Sequence, residues 1–137
     1  MKIIYQVENN LSVAEFRDVL VRSTLGERRP IDDTDRLEKM CKNADIMLTA
    51  RFEGKLVGVA RSLSDFVYAT YLSDLAVDSE FQRLGIGKRL IAETKRLVPE
   101  GKLILLAAPA AQEYYSKIGM TKFEYCFYVD KLDELKM

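Results

Sequence analysis

The sequence predicts a mixed α/β domain in which an antiparallel meander precedes a strand–helix–strand unit. The chain has 137 residues, the usual length of one domain, so we expect a single domain over residues 1–137. Its middle third alternates with the period of strands, and the flanking segments carry apolar residues at helical spacing. The expected order of elements is β-α-α-β-β-β-α-β-α-β.

The first third of the chain predicts one strand and two helices. Residues 2–7 alternate and are β-prone. Ser12 and Glu15 form a capping box, which predicts a helix from Ser12 to about Arg22. Either aspartate of Asp32-Asp33 can cap a second helix. The apolar face of that helix is formed by Leu37, Met40 and Cys41.

Three strands are expected in the middle of the chain, over residues 46–52, 55–63 and 68–77. Glu53-Gly54 and Ser64-Asp65 supply the turns between them. Because short turns join antiparallel neighbours, these strands should form a meander.

A helix and a buried strand are expected next. Apolar residues recur at helical spacing over residues 86–98, and Pro99-Glu100-Gly101 should end the helix. Residues 102–107 form a short apolar run, which is typical of a strand buried on both faces.

The end of the chain predicts one more helix and one more strand. Residues 109–118 should be helical, because Pro109 suits a first helical position and Gly119 suits the C-terminal cap. Residues 122–129 are rich in aromatic side chains and predict a last strand.

Composition narrows the class of partner. Lys and Arg number 21 and so do Asp and Glu, and this zero net charge argues against a nucleic-acid partner. No apolar run approaches ~20 residues, so no membrane partner is expected. The early charges of the N-terminus do not fit a signal peptide, and we expect a cytoplasmic protein.

The residue types present also limit the chemistry. The chain has no histidine, which excludes histidine-based triads and imidazole bases, so acid–base steps fall to Asp, Glu, Tyr, Cys, Lys or water. Cys41 and Cys126 lie far apart and predict two reduced thiols. No metal site is expected.

A glycine-containing loop between a strand end and a helix start can hold a diphosphate. It comprises Gln82, Arg83, Leu84, Gly85, Ile86, Gly87 and Lys88. The two glycines let backbone amides approach an anion, and a helix N-terminus adds unpaired N–H donors and partial positive charge. Arg83 and Lys88 can neutralise phosphates.

Known glycine motifs do not account for this loop. A P-loop needs an earlier glycine and a Ser or Thr after the lysine, whereas this chain has Gln82 and Arg89 there. A Rossmann fingerprint needs a third glycine, but position 90 is Leu. A glycine turn without a ligand remains the alternative.

The order of elements and two motifs resemble the GNAT family, the Gcn5-related N-acetyltransferases. Gln82, Gly85 and Gly87 match that family's Arg/Gln-x-x-Gly-x-Gly/Ala signature, which follows the Leu75-Ala76-Val77 strand end. Residues 111–120 match a second signature, with Tyr114 and Met120 where the family has Phe. The resemblance covers nearly the whole chain.

The resemblance implies acetyl-CoA as cosubstrate and no metal. It implies a cleft where the fourth and fifth strands splay apart. Leu75, Ala76 and Val77 would offer backbone groups to the acetyl group and pantetheine arm, and residues 82–88 would hold the pyrophosphate. The amide of Ala76 or Val77 would be the oxyanion donor.

Two side chains are candidates for proton transfer. Tyr115 aligns with a family tyrosine that protonates the CoA sulfur, and the alternative is that it only packs against pantetheine. Asp74 is a candidate general base, and the alternative is a structural carboxylate, with water as the base. Asp65 and Glu113 are weaker candidates.

The acceptor is expected to be a primary amine of a small molecule or a protein, acetylated directly in a ternary complex. An acyl-CoA-binding or regulatory module without turnover is the alternative function. Arg22, Arg28 and Arg29 could pair with an acidic acceptor, pair with the adenosine 3′-phosphate, or face solvent. The resemblance also makes a homodimer possible, since dimers are common in the family, and residues 125–128 could join such an interface.

Overall fold

A computed structural model describes all 137 residues, which form two compact units, residues 1–106 and 107–137. The first unit contains strands β1 (Ile3–Val7), β2 (Ile46–Phe52), β3 (Lys55–Ser64), β4 (Ala69–Val77) and β5 (Lys102–Ile104). It also contains helices α1 (Val13–Arg22), α2 (Thr34–Lys42) and α3 (Ile86–Leu97). The second unit contains helix α4 (Gln112–Lys117).

The five strands form one mixed sheet in the order β1-β2-β3-β4-β5. The first four are antiparallel neighbours, and β5 is parallel to β4 because α3 carries the chain back between them. This confirms the predicted meander and the strand–helix–strand unit. No helix combines the length and hydropathy that a membrane crossing requires.

Helices cover both faces of the sheet. Phe16 and Leu20 of α1 and Leu37 of α2 pack on one face, and Ile86 and Leu90 of α3 pack on the other. The predicted caps begin two of these helices, because Ser12 accepts the Glu15 amide at 3.1 Å and Asp33 accepts the Arg36 amide at 3.1 Å. The apolar periodicity of the sequence therefore identified the helix faces correctly.

Gly58 in β3 lets α3 pack closely on the sheet. A Cβ at this position would lie 3.2 Å from side-chain atoms of both Ile86 and Leu90. Such contacts are tighter than ordinary packing allows. Because Gly58 has no side chain, the start of α3 can pack directly against the sheet beside the end of β4.

Strand β5 is shorter and more exposed than predicted. The sequence predicted a strand over residues 102–107 that is buried on both faces, but β5 ends at Ile104, which is 49% exposed. Its ladder with β4 covers only Ala69–Tyr71, after which the two strands are no longer hydrogen-bonded. β5 is therefore an edge strand with β4 as its one neighbour. The prediction was wrong because a short apolar run does not show whether a strand has one neighbour or two.

The second unit contains the predicted helix but lacks the predicted strand. A 3-10 turn over Pro109–Ala111 precedes α4, and Gly119, with φ +105°, ends it in a Schellman motif. Residues 122–129 form no strand, and a turn at residues 124–125 interrupts them. The prediction was wrong because alternation gives β-propensity, whereas a strand also needs a ladder partner, which this segment lacks.

A charged cluster connects β1, β2 and α1. Both carboxylate oxygens of Glu8 accept from Arg51, at 2.8 and 2.9 Å, and Thr49 donates to the same carboxylate. Arg51 also donates to Glu15 at 2.8 Å. The Arg51 hydrogen bonds, followed by that from Thr49, lower the pKa of Glu8 from its ordinary value to about 2.

We predict that Glu8→Gln destabilises the protein by about 1–2 kcal/mol at pH 7. Because the pKa of Glu8 is depressed in the folded state, its contribution is complete above the unfolded pKa of about 4.3 and declines as the pH falls towards 2. Urea unfolding at several pH values measures this. Glu38→Gln, at an exposed residue without an ion pair, is the control. A difference from wild type that does not shrink in acid would contradict the assignment.

Candidate active site

A β-bulge at Ser73 divides β4 into two halves. Ser62 pairs with Leu72 and Arg61 pairs with Asp74, so Ser73 is an extra residue on β4. A bulge of this kind shifts the hydrogen-bonding phase of the strand that contains it. Residues on either side of Ser73 therefore direct their backbone groups differently.

The bulge turns the amides of Leu75 and Val77 towards the unpaired edge of β4. Asp78 N donates to Val57 O at 2.8 Å, so by alternation the amides of Ala76 and Asp74 also face β3. The amides of Leu75 and Val77 consequently point the other way, and β5 pairs only with residues 69–71. Two N–H donors are thus directed at the part of the β4 edge beyond residue 71 that pairs with no strand, which we call the open edge.

The three residues of the predicted acyl site consequently differ. Ala76 is buried in the core, and its backbone groups pair with Val59. The Val77 carbonyl accepts from Gln82 Nε2 at 3.1 Å, so Gln82 connects the loop to the end of β4. Of the two amides that the resemblance suggests as oxyanion donors, only that of Val77 faces the open edge, together with that of Leu75.

The glycine loop ends in a helix N-terminus that no side chain caps. Gly85 is the N-cap residue with φ +82°, a conformation that favours glycine, and no side chain caps the helix. The first turn contains no acidic residue, and the first hydrogen bond of the helix runs from Arg89 to Gly85. The amides over residues 85–88 are therefore available to an anion.

The residues of the loop differ in how far they are exposed to solvent. Arg83 and Lys88 are exposed and make no ion pair, so their charges are free to meet phosphate. Ile86 is 2% exposed in the core, which leaves only its backbone to a ligand. Leu84 is exposed, and Gly87 occupies the second helical position with partial exposure.

Arg22 and Asp78 hold the start of the loop against α1. Arg22 donates to the Asp78 carboxylate and, at 2.7 Å, to the Leu56 carbonyl. Ser79 Oγ donates to the Arg22 carbonyl at 2.7 Å, and Asp78 also accepts the Glu80 amide. Sequence reasoning did not find Asp78, because its partner is far away in the chain.

Asp74 lies in a buried ion cluster. Its side chain is 0% exposed, and its two carboxylate oxygens accept from Arg29 and Arg61. Arg29 also donates to the Ser73 carbonyl at 2.8 Å, and Arg61 donates to Ser73 Oγ at 3.1 Å. Of the two roles that the sequence left open, this environment favours the structural carboxylate over the general base.

Two of the three arginines expected near the acceptor have internal partners. Arg22 and Arg29 pair with Asp78 and Asp74, a role that none of the three interpretations from the sequence included. Only Arg28 is exposed without a carboxylate partner. The loop between α1 and α2 is therefore attached directly to β4.

Other candidate groups are less suited to acid–base work. Asp65 accepts the amides of Tyr68, Ala69 and Val67 in the β3–β4 turn, which lowers its pKa and weakens it as a base. Burial raises the pKa of the Cys41 thiol, which disfavours a thiolate. Glu113 is exposed in the first turn of α4.

Tyr115 lies in α4 of the second unit. It is partly buried and meets the ring of Tyr114 edge-on at 5.3 Å. Burial, with a smaller contribution from Tyr114, raises the pKa of the Tyr115 phenol above its ordinary value of 10.0. The hydroxyl is therefore protonated across the neutral range, and this is the state that a proton donor needs.

Solved acetyltransferase structures share this fold. A GNAT-family acetyltransferase from Streptococcus pneumoniae superimposes with a TM-score of 0.78 at 17% identity, over 95% of this chain and 99% of that one. The aminoglycoside acetyltransferase AAC(6′)-Iy, in complex with a CoA-containing bisubstrate analogue, superimposes with a TM-score of 0.73 at 19% identity, over 96% and 99%. At these identities the likeness concerns the fold alone.

Curated relatives show similarity in sequence. GCN5-related N-acetyltransferase 2, chloroplastic, of Arabidopsis thaliana is 33% identical over 70 residues, which are 49% of this chain and 27% of that protein. The uncharacterized N-acetyltransferase ycf52 of Pyropia yezoensis is 28% identical over 129 residues, 88% of this chain and 72% of that protein. The match therefore spans about a quarter of the first relative and most of the second.

The two signatures, the diverging strands β4 and β5 and the shared fold all indicate one family. A family model for the acetyltransferase (GNAT) domain matches residues 20–137, which include the bulge, the glycine loop and α4. The protein belongs to the GNAT family of acetyltransferases.

Proposed function

We propose that the protein is an N-acetyltransferase that moves the acetyl group of acetyl-CoA to a primary amine while both substrates are bound. The observation that carries this proposal is the pair of outward-facing amides of Leu75 and Val77, followed along the chain by the uncapped start of α3. Donors placed this way suit a thioester carbonyl and a diphosphate. The names of both curated relatives support the reaction class.

The residues present fit acetyl-CoA. The amides over residues 85–88 would receive the diphosphate, and Arg83 and Lys88 would add positive charge. The amides of Leu75 and Val77 would receive the acetyl oxygen, with Val77 the nearer to the loop. No metal enters this arrangement.

In the proposed reaction the amine attacks the thioester directly, without a covalent enzyme intermediate. The neutral amine attacks the thioester carbonyl carbon, the new C–N bond forms, and the C–S bond breaks. The oxyanion is stabilised by the open-edge amides. The departing thiolate takes a proton, and the family resemblance assigns that donation to the phenol of Tyr115. Water accepts the proton released by the nitrogen, and the Tyr115 phenolate is reprotonated from solvent.

Water is the proposed base because Asp74 is engaged. Its carboxylate contacts two guanidinium groups and has no exposed surface. We therefore assign Asp74 to holding the bulge. An acyl-CoA-binding or regulatory module without turnover is the alternative function.

We propose that residues 1–137 form one catalytic domain, since the family model spans both compact units. A small-molecule amine is the first acceptor class to test, because a solved neighbour is an aminoglycoside acetyltransferase. A protein amine is the second. The homodimer and the cytoplasmic location stay predictions.

The first test is binding and turnover of acetyl-CoA. We expect acetyl-CoA at ~100 times its dissociation constant to stabilise the protein by ~2.7 kcal/mol, measured as a rise in the melting temperature. We also expect thiol release when acetyl-CoA is mixed with a panel of polyamines, aminoglycosides and lysine peptides. Stabilisation without thiol release would favour the binding module, and no stabilisation would reject both functions.

Gly87→Val should weaken CoA binding by about 10-fold or more without lowering the melting temperature of the free protein. A branched side chain would obstruct the loop amides, whereas replacing glycine within a helix does not cost stability. Gly87→Ala is the graded control and should weaken binding less. Gly85 is a poorer probe, because its φ of +82° makes any replacement strained. Unchanged affinity in a folded Gly87→Val protein would place the diphosphate elsewhere.

Tyr115→Phe should lower kcat by roughly 10²-fold with little change in acetyl-CoA affinity, because the phenol acts as charge develops on sulfur. Because the pKa of Tyr115 is raised, the wild-type rate should not fall on the alkaline side below pH ~10. Tyr125→Phe, at a residue that is 70% exposed, is the control. A Tyr115→Phe enzyme with wild-type kcat would remove the hydroxyl from the mechanism.

A further inference from the structure

The orientation of the acyl-site amides depends on the bulge at Ser73. Before the bulge, Ala69 accepts from Asp65 N at 3.3 Å, so residues 69 and 71 face β3. After it, residues 74, 76 and 78 face β3 instead. Without the extra residue, Leu75 and Val77 would direct their amides into the sheet, and the open edge would lose both donors.

Arg29 binds two groups at the bulge, the Ser73 carbonyl and the Asp74 carboxylate. Its Nη2 donates to the Ser73 carbonyl at 2.8 Å, and its Nε pairs with Asp74. One planar guanidinium therefore holds two consecutive residues of the bulge at once, which a single-point cation does not do. Arg61 binds the same carboxylate from within the sheet.

The loop that carries Arg29 has a separate attachment to α1. Arg17 donates from Nε to the Ile31 carbonyl at 3.0 Å and from Nη2 to the Thr34 hydroxyl at 2.7 Å. These bonds hold the loop but do not touch β4. The effect of Arg29 on the bulge can therefore be separated from any effect of a loosened loop.

We propose that Arg29 is a positioning residue for acetyl transfer: by holding the Ser73 bulge, it directs the Leu75 and Val77 amides at the acetyl oxygen. This rests on the proposed function. Arg29 does not touch the substrate in this assignment. The diphosphate loop is held by Arg22 and Asp78, so binding of the CoA portion does not depend on Arg29.

The test compares acetyl-CoA with CoA by ¹H–¹⁵N correlation spectroscopy of the full chain. In the wild type, the amide shifts of Leu75 and Val77 should differ between the two ligands, because only acetyl-CoA offers the carbonyl. Arg29→Lys keeps a cation beside Asp74 but loses the planar guanidinium that binds Ser73 and Asp74 together. It should lose most of this difference, lower kcat by about 10²-fold and change the CoA dissociation constant by less than about 3-fold.

Arg17→Gln is the matched control, because it releases the same loop and leaves the bulge untouched. It should keep the acetyl-dependent shifts and a kcat near that of the wild type. Should Arg29→Lys not fold, Asp74→Asn provides the second variant. It removes the charge that pairs with Arg29 at nearly constant side-chain size and should likewise weaken the acetyl-dependent shifts.

Wild-type shifts and kcat in a folded Arg29→Lys protein would overturn the proposal. Equal losses in Arg17→Gln would also overturn it, because the effect would then belong to the loop. These outcomes differ from failure of the proposed function. In that case the wild type itself would show neither an acetyl-dependent shift nor thiol release, and the proposal for Arg29 would fall with it.

Discussion

The buried carboxylate of Asp74 is the interaction on which the site depends. A buried charge is costly unless it is paired, and Asp74 meets this requirement with two guanidinium groups from different parts of the chain. Arg61 comes from β3, and Arg29 comes from the loop before α2. Removing one partner of such a pair typically costs about 3–5 kcal/mol, so this cluster constrains sheet, loop and bulge together.

A second buried pair repeats this arrangement at the end of β4. Arg22, the last residue of α1, meets Asp78 just after the strand, and Asp78 also begins the short turn that leads to the glycine loop. The segment from α1 to α2 therefore contacts β4 at Asp74 and the residue directly after β4, Asp78. One contact fixes the amides proposed to bind the acetyl oxygen, and the other fixes the loop proposed to bind the diphosphate.

This arrangement changes the interpretation of the basic α1–α2 region. Clustered arginines in a loop suggest an anionic ligand, but Arg22 and Arg29 neutralise carboxylates of the protein itself. Their contribution to acceptor choice would be indirect, through the position of the loop. Arg28 is the one member of the group whose charge remains exposed to an acceptor.

Local patterns in the sequence were sufficient for the elements that satisfy their own hydrogen bonds. Three kinds of feature follow from neighbouring residues and were predicted: the caps at Ser12 and Asp33, the apolar faces of α1 and α3, and the glycine turn before α3. The same local motifs indicated the family. The tertiary structure decided what depends on a distant partner. Residues 122–129 lack the ladder that a strand requires, and β5 stops at the sheet edge. The role of Asp74 is set by two arginines that lie 45 and 13 positions away in the chain, which no spacing rule connects to it.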